Sequence, residues 1–204
     1  MKNKPDLAIE STINGQVVGI DEAGRGPLAG PVFAASVILN KKKIPSGIDD
    51  SKSLSPEKRQ ALYKKITESS IYGLSMSSVI EIDRLNILQA TLLAMRRSYI
   101  NLSWKLSTLP SHALIDGNQS PRLPCKTITI IKGDKKSKSI AAASIIAKVH
   151  RDRLMKKLSL KFQDFGWEKN AGYGTKMHIE NIYRLGPTIH HRKTFEPIKS
   201  LIHS

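Results

Sequence analysis

Acidic residues follow short apolar segments at three separate places in the chain. Asp21 and Glu22 follow residues 17–20, Asp116 follows residues 113–115, and Asp134 comes shortly after residues 125–131. Carboxylates at the end of an apolar segment lose hydration, and adjacent ones repel, so each needs a counter-charge, a proton or a bound cation. All-oxygen sites suit Mg²⁺ or Mn²⁺ better than zinc. Two such ions can activate water and stabilise a leaving 3′-oxygen, so the acids together with a basic surface point to phosphodiester hydrolysis.

A glycine-rich loop follows the first pair of acids. Gly24 and Gly26 permit positive φ and close backbone approach, and Arg25 between them offers a planar fork suited to a phosphate. The glycine spacing also matches a dinucleotide-binding fingerprint, but that motif opens a helix, whereas Pro31 here begins a β-rich segment. An acid expected about twenty residues further on is replaced by the three lysines at 41–43. A pair of strands with acids between them is the better interpretation.

The overall charge points to a polyanionic partner. The 204 residues contain 33 Lys and Arg against 17 Asp and Glu, a net charge of +16. Nucleic acid is the first candidate, although a membrane surface or ribosomal RNA would explain the charge equally well. The single Cys125 excludes an internal disulfide framework and a multi-cysteine zinc site. The N-terminal residues lack the apolar run of a signal peptide, so a cytoplasmic protein with no membrane association is expected.

Periodicity predicts the elements that must position the acids. Strands are predicted at residues 17–20, 31–39, 72–79, 113–115 and 125–131. Helices are predicted over 56–68, 81–102, about 140–162 and 176–185. Loops at strand ends in a mixed α/β sheet bring sequence-distant groups together, so the three acidic strand ends predict one shared site. Three separate solvated turns are the alternative.

The last third of the chain is predicted to be helical and basic. The cationic half of the long helix, which includes Arg151, is interpreted mainly as a solvated face. The cluster from His190 to Lys193 is interpreted as a surface feature that could steady phosphates rather than as a metal site. Tyr173 stands between two glycines in a second glycine-rich loop, where a core position is not expected.

Taken in order, six motifs resemble those of the bacterial ribonuclease HII family. They are GIDEAGRGPLAGPV from Gly19, DSKSLS from Asp50, LIDGN from Leu114, KGDKKSKSIAAASIIAKVHRD from Lys132, GYGTKMH from Gly172 and HRKTF from His191. The resemblance implies an α/β protein with a ribonuclease H-like fold: a mixed central β-sheet flanked by helices, with a helical C-terminal part. A single domain over residues 1–204 is expected, with a catalytic core at about 14–165 and the helical part at about 166–204.

The resemblance also implies a function and a set of site residues. The expected enzyme is an endoribonuclease that cleaves the RNA strand of RNA–DNA hybrids and incises duplex DNA at embedded ribonucleotides, using two Mn²⁺ or Mg²⁺ ions and acting as a monomer. The family's catalytic and metal-binding acids correspond to Asp21, Glu22, Asp116 and Asp134. Its substrate-binding residues correspond to Gly24, Arg25, Gly26, Tyr173 and Lys52. The alternatives are a non-catalytic basic RNA-binding protein and a DNA nuclease of the same fold.

Overall fold

The computed structural model describes residues 4–203. A mixed five-stranded sheet forms the centre of the protein. The strands, in chain order, are β1 Val17–Ala23, β2 Val32–Ile38, β3 Ile71–Ser77, β4 His112–Asp116 and β5 Lys126–Ile130. Their order across the sheet is β3-β2-β1-β4-β5. The β1–β2 and β2–β3 pairs are antiparallel, whereas β1–β4 and β4–β5 are parallel. All five predicted strands are confirmed, and the first two pair with each other as expected.

Helices cover both faces of the sheet. They are α1 Ala8–Ser11, α2 Pro56–Ser69, α3 Val79–Leu85, α4 Ile87–Ser103, α5 Lys138–Ser159, α6 Trp167–Asn170, α7 Lys176–Leu185 and α8 Ile198–His203. One apolar cluster joins α4 to inward side chains such as Val18, Val32 and Ile115. A second cluster joins α5 and α2 to the opposite face through Phe33, Val37 and other side chains. Because β1 and β2 are buried on both faces, they have the near-continuous apolar sequences of central strands.

The single helix predicted over residues 81–102 is wrong in its boundaries, because the structure divides this segment into α3 and α4. Asn86 separates them with a φ of 67° and a ψ of 164°, a backbone conformation outside the helical region that residues other than glycine rarely adopt. Its side chain then caps α4 by accepting a 3.1 Å hydrogen bond from Gln89 N. The capping box formed by Ser78 and Glu81 starts α3 in the same way.

Helix α5 packs very closely against β1. A Cβ atom at Gly19 would lie 2.2 Å from the backbone carbon of Ser139, so only glycine permits this approach. The contact occurs two residues before Asp21 and brings the first turn of α5 next to the acidic end of β1. The long predicted helix is confirmed as α5.

The C-terminal part is helical, as expected. Its third apolar cluster packs the buried Trp167 and Ile182 against Met155 of α5 and against Leu28 and Ala29, which follow the glycine-rich loop. The helices after α5 therefore rest on the segment between β1 and β2. Within residues 4–203, no helix combines the length and apolar character needed to cross a membrane.

Candidate active site

The parallel strands β1, β4 and β5 bring the acidic segments to one edge of the sheet. In the β1–β4 register Ile20 lies beside Ile115, so the next residues along the two strands are Asp21 and Asp116. The two acids of β1 lie within the end of the strand rather than after it, since β1 continues to Ala23. Asp134 lies in a 3-10 turn at residues 133–135, just beyond β5. The predicted convergence is therefore present in the geometry.

Three of the four acids form a compact cluster. One carboxylate oxygen from each of Asp21, Glu22 and Asp116 lies within 4.8 Å of the others. Asp134 is outside this group but lines the same cleft, which has a volume of about 970 Å³. Gly133 N donates a 2.6 Å hydrogen bond to Asp116 Oδ1, which ties the turn carrying Asp134 to the end of β4. The donors are all carboxylate oxygens, as Mg²⁺ and Mn²⁺ prefer.

The pKa values of Asp21, Glu22 and Asp134 are raised. Burial raises the pKa of Asp21 well above its usual range, and the charges of Glu22 and Asp116 raise it further. Burial also raises the pKa of Glu22, with Arg25 acting in the opposite direction. The pKa of Asp134 is raised to about 6, first by burial and then by the charge of Asp116. A bound divalent cation would remove this repulsion, so the residues fit a metal site.

Lys52 faces the acids from a turn between β2 and α2. Asp50 shapes this turn, because its Oδ1 accepts a 2.9 Å hydrogen bond from Lys52 N, and its other oxygen lies 3.7 Å from Lys135 Nζ. Burial lowers the pKa of Lys52, but the charges of Asp21 and Asp134 outweigh it and the pKa is raised. Lys52 thus brings a positive charge to the acidic end of the cleft.

The Gly24–Arg25–Gly26 loop lies beside the acids and is held by Arg192. Arg25 Nη1 lies 3.7 Å from Glu22 Oε1, with half of the Arg25 side chain exposed. The fully buried Arg192 donates hydrogen bonds to the carbonyl oxygens of Arg25 at 2.7 Å, Gly30 at 2.9 and 3.0 Å, and Gly24. The prediction that residues 190–193 form a surface cluster is therefore wrong for Arg192, which lies inside the protein and holds the backbone of the loop.

Arg151 performs a similar task from α5. Its guanidinium donates to the carbonyl oxygens of Pro31 at 3.1 Å, Ala29 at 3.1 Å and Ala171 at 2.9 Å. With 1% of its surface exposed, Arg151 does not belong to the solvated face predicted for this part of α5. The residue connects the segment after the glycine-rich loop to the second loop, which carries Tyr173.

Tyr173 lines the same cleft as the acids, with 44% of its surface exposed. Its ring packs over Gly26, because a Cβ at that position would lie 3.6 Å from Tyr173 Cε1. The glycine-rich loop and the tyrosine therefore form one continuous surface beside the carboxylates. The expectation that Tyr173 is not a core residue is confirmed.

Histidine burial in the C-terminal part differs from the sequence interpretation. His191, predicted at the surface, is 1% exposed and lies 3.0 Å, Nε2 to Nε2, from the equally buried His178. His190 is half-buried against the ring of Phe162.

Four residues that support the site were not predicted from the sequence: Asp50, Arg151, Arg192 and His191. Only Asp50 had a signal in the local sequence, because the Asp-Ser-Lys pattern is typical of a turn. For Arg151, Arg192 and His191 the local sequence offers none.

The fold and the acidic cleft together define the ribonuclease H-like class of α/β enzymes. A family model described as Ribonuclease HII matches residues 18–197 of this chain. The chain belongs to the ribonuclease HII family.

Individual relatives agree with this assignment. A ribonuclease HII from Paramagnetospirillum magneticum is 52% identical over 198 residues, which cover 95% of this chain and 96% of the relative. The crystal structure of ribonuclease H2 from Pyrococcus horikoshii superimposes with a TM-score of 0.74 at 27% identity, covering 92% of this chain and 97% of that one. Bst-RNase HIII in complex with Mn²⁺ has a TM-score of 0.76 at 20% identity and covers 92% of this chain and 69% of that one, which shows similarity of fold.

Proposed function

We propose that this chain is an endoribonuclease that hydrolyses the RNA strand of RNA–DNA hybrids and incises duplex DNA at embedded ribonucleotides, leaving 5′-phosphate and 3′-hydroxyl ends. One observation carries the proposal: carboxylate oxygens of Asp21, Glu22 and Asp116 lie within 4.8 Å of one another, in the cleft that also contains Arg25 and Tyr173. Membership of the ribonuclease HII family supports the choice of substrate.

Asp21, Glu22, Asp116 and Asp134 are the residues that would hold the metal ions. When bound, two Mg²⁺ or Mn²⁺ ions supply activation of the attacking water and neutralise charge on the leaving 3′-oxygen. The chain's own contribution is to hold the four carboxylates on adjacent strand ends, so that little reorganisation is needed when substrate arrives. Burial is the main cause of the raised pKa of Asp21, and a bound cation would stabilise its ionised form.

The substrate-binding residues are assigned from their positions around the acids. The backbone of Gly24 and Gly26 can approach a sugar closely, as reading a 2′-hydroxyl in a shallow minor groove requires. Arg25 and Lys52 are placed to contact phosphates next to the scissile bond. Tyr173, packed over Gly26, is assigned to the sugar or base that follows the ribonucleotide, where the RNA–DNA junction lies.

Three further assignments belong to this proposal. Residues 1–204 form one domain, which the packing of Trp167 and Ile182 against Leu28 supports, since this cluster joins the core at about 14–165 to the helical part at about 166–204. The protein works in the cytoplasm, in agreement with its single free Cys125. It acts as a monomer, which analytical ultracentrifugation of the metal-loaded protein would check.

The decisive experiment uses three labelled duplexes that differ only in their sugars: one with a single ribonucleotide in DNA, one with a continuous RNA strand, and one of DNA alone. Cleavage of the first two in Mg²⁺ or Mn²⁺, no cleavage in chelator, and no cleavage of the all-DNA duplex are the expected results. Cleavage of the all-DNA duplex would identify a DNA nuclease of the same fold. Binding without cleavage under every metal condition would identify a non-catalytic RNA-binding protein.

A further inference from the structure

Tyr173 combines an exposed side chain with a firmly held backbone. Its ring is half-exposed in the cleft and lies against Gly26. On the N-terminal side, Gly172 O accepts a 2.8 Å hydrogen bond from Leu28 N. On the C-terminal side, Tyr173 O accepts from Thr175 N at 2.8 Å and from the Nδ1 of His178 at 2.8 Å. One of the two hydrogen bonds to the Tyr173 carbonyl oxygen therefore comes from a side chain, that of His178.

The hydrogen-bond partners determine the protonation state of His178. A carbonyl oxygen can only accept, so the Nδ1 of His178 carries the proton. Its Nε2 must then be an acceptor in the neutral ring. Trp167 Nε1, which can only donate, lies 3.1 Å from this atom. The side chain of His178 therefore connects the buried indole of Trp167 to the backbone of Tyr173.

His191 completes the network. Its Nε2 lies 3.0 Å from the acceptor Nε2 of His178, so His191 carries its proton there and donates. Its Nδ1 then accepts from Thr188 N at 2.9 Å and from Thr188 Oγ1 at 3.0 Å. Both rings are neutral, and the lone pairs of His178 Nε2 and His191 Nδ1 are each shared between two donors. The two histidines are 0% and 1% exposed. A buried polar network in which every group is satisfied favours one geometry over others.

We propose that His178, held by His191, is a positioning residue for recognition of the RNA–DNA junction by Tyr173. This inference rests on the junction-reading role proposed for Tyr173. A ring that reads a sugar must be held close to its productive position, and a half-exposed ring gains little orientation from its own packing. The orientation of the Tyr173 ring must therefore come from its backbone. The buried pair His178 and His191 supplies one hydrogen bond to that backbone, from His178 Nδ1 to Tyr173 O, and solvent does not reach the donor side chain.

The test compares kcat/KM on the single-ribonucleotide duplex with kcat/KM on the continuous hybrid, and the ratio of the two is the discrimination ratio. Tyr173→Ala should lower this ratio by about 5- to 150-fold, the range that corresponds to loss of one base–aromatic stacking contact. His178→Leu, which removes both the donor and the acceptor at similar size, should lower it in the same direction but by less. His178→Gln keeps one N–H donor and one oxygen acceptor and should recover most of the ratio.

The double variant tests whether His178 acts through Tyr173 or through the overall stability of the protein. If His178 acts through Tyr173, adding His178→Leu to Tyr173→Ala should leave the ratio unchanged from that of Tyr173→Ala alone. His150→Gln is the matched control, because His150 is a partly buried histidine of α5 that bonds Tyr63 and does not line the cleft. Circular dichroism and thermal unfolding identify an assay temperature at which every variant is folded.

The possible outcomes distinguish the positioning role of His178 from the junction-reading role of Tyr173. A selective loss for Tyr173→Ala together with an equal loss on both substrates for His178→Leu would overturn the positioning role and leave Tyr173 as the reader. Equal losses on both substrates for Tyr173→Ala would remove the reading role itself, and the positioning inference with it. Failure of His178→Gln to recover the ratio, while it recovers thermal stability, would also count against the inference.

Discussion

Gly133 N donates a 2.6 Å hydrogen bond to Asp116 Oδ1, the carboxylate at the end of β4. This bond joins the ends of two adjacent parallel strands, and the turn that begins at Gly133 carries Asp134. An asparagine at position 116 would keep an oxygen that can accept the same bond. The charge at this position can therefore be removed with little effect on the local backbone.

Asp116→Asn should abolish nearly all cleavage while keeping the fold and most of the substrate affinity. The expected loss in kcat exceeds the roughly 10- to 100-fold that follows removal of an outer partner of a metal ligand. Asp134→Asn should be milder, because Asp134 lies outside the three-carboxylate cluster. Single-turnover cleavage and fluorescence anisotropy measure the two effects. Near wild-type cleavage by a nuclease-free preparation of Asp116→Asn would disprove the four-acid assignment.

Asp21→Asn should stabilise the metal-free protein, although it removes a proposed metal ligand. The ionised Asp21 carboxylate is buried beside Glu22 and Asp116, and all of them repel. We expect the free energy of unfolding in chelator at neutral pH to rise, because the substitution removes this repulsion. Saturating Mn²⁺ or Mg²⁺ should stabilise wild type more than the variant. Urea denaturation with and without metal checks both, and a variant less stable than wild type in chelator contradicts the prediction.

Arg192→Lys should destabilise the protein and weaken substrate binding together. A lysine cannot reproduce the fork that bonds the carbonyl oxygens of Gly24, Arg25 and Gly30. Leaving buried carbonyls unsatisfied should cost about 2–4 kcal/mol of unfolding free energy, and the looser loop should raise KM. Arg96→Lys, at an exposed position on α4, is the control. An unchanged KM would show that the loop keeps its shape without the guanidinium.

Binding of Asp116→Asn to an RNA–DNA hybrid should weaken steeply as salt rises. The net charge of +16 and the basic side chains that line the cleft imply several phosphate contacts. Between about 50 and 200 mM salt we expect a loss of affinity on the order of 10²- to 10³-fold. Lys156→Gln, in the cleft, should make the salt dependence shallower, whereas Lys42→Gln, beyond the far end of β2, should not. A flat dependence for the parent would exclude the basic surface as the docking face.

Stability should fall below about pH 6.5 because of His191. Burial, followed by the nearby rings of His178 and His190, lowers the pKa of His191 to about 3 in the folded protein. The unfolded chain takes up a proton near pH 6.5 while the folded one does not, so the contribution is complete above that pH and is lost as the pH falls. The slope should approach about 1.4 kcal/mol per pH unit.

Comparison with His191→Gln isolates this contribution from that of the titrating carboxylates. The groups packed around His191 are Phe165, Trp167, His178, Thr188 and His190. Urea denaturation from pH 7 to 5 should show a shallower decline for this variant than for wild type. His203→Gln, at an exposed position, serves as the control. Parallel curves for wild type and His191→Gln would rule out His191 as the source.

Local patterns in the sequence were enough to predict the strands, the acids at their ends and the exposed Tyr173. Such features depend on residues that are close in the chain: β-branched runs, glycines that permit positive φ, and a carboxylate directly after an apolar segment. Because loops at strand ends of a mixed α/β sheet can meet, the convergence of Asp21 and Asp116 could be expected, and the parallel arrangement of β1, β4 and β5 produces it. The break at Asn86 escaped prediction because apolar spacing continues through it.

The buried supports of the site were decided only by the tertiary structure. Arg192 bonds carbonyl oxygens that lie 162 to 168 residues earlier in the chain, and Arg151 bonds others 120 and 122 residues away. A charged side chain is stable in the interior only when such partners surround it, and nothing in the neighbouring sequence reveals them. The same holds for His191, whose burial depends on His178 and Trp167. Sequence therefore predicts the groups that line the acidic cleft, whereas packing decides which polar residues hold them in place.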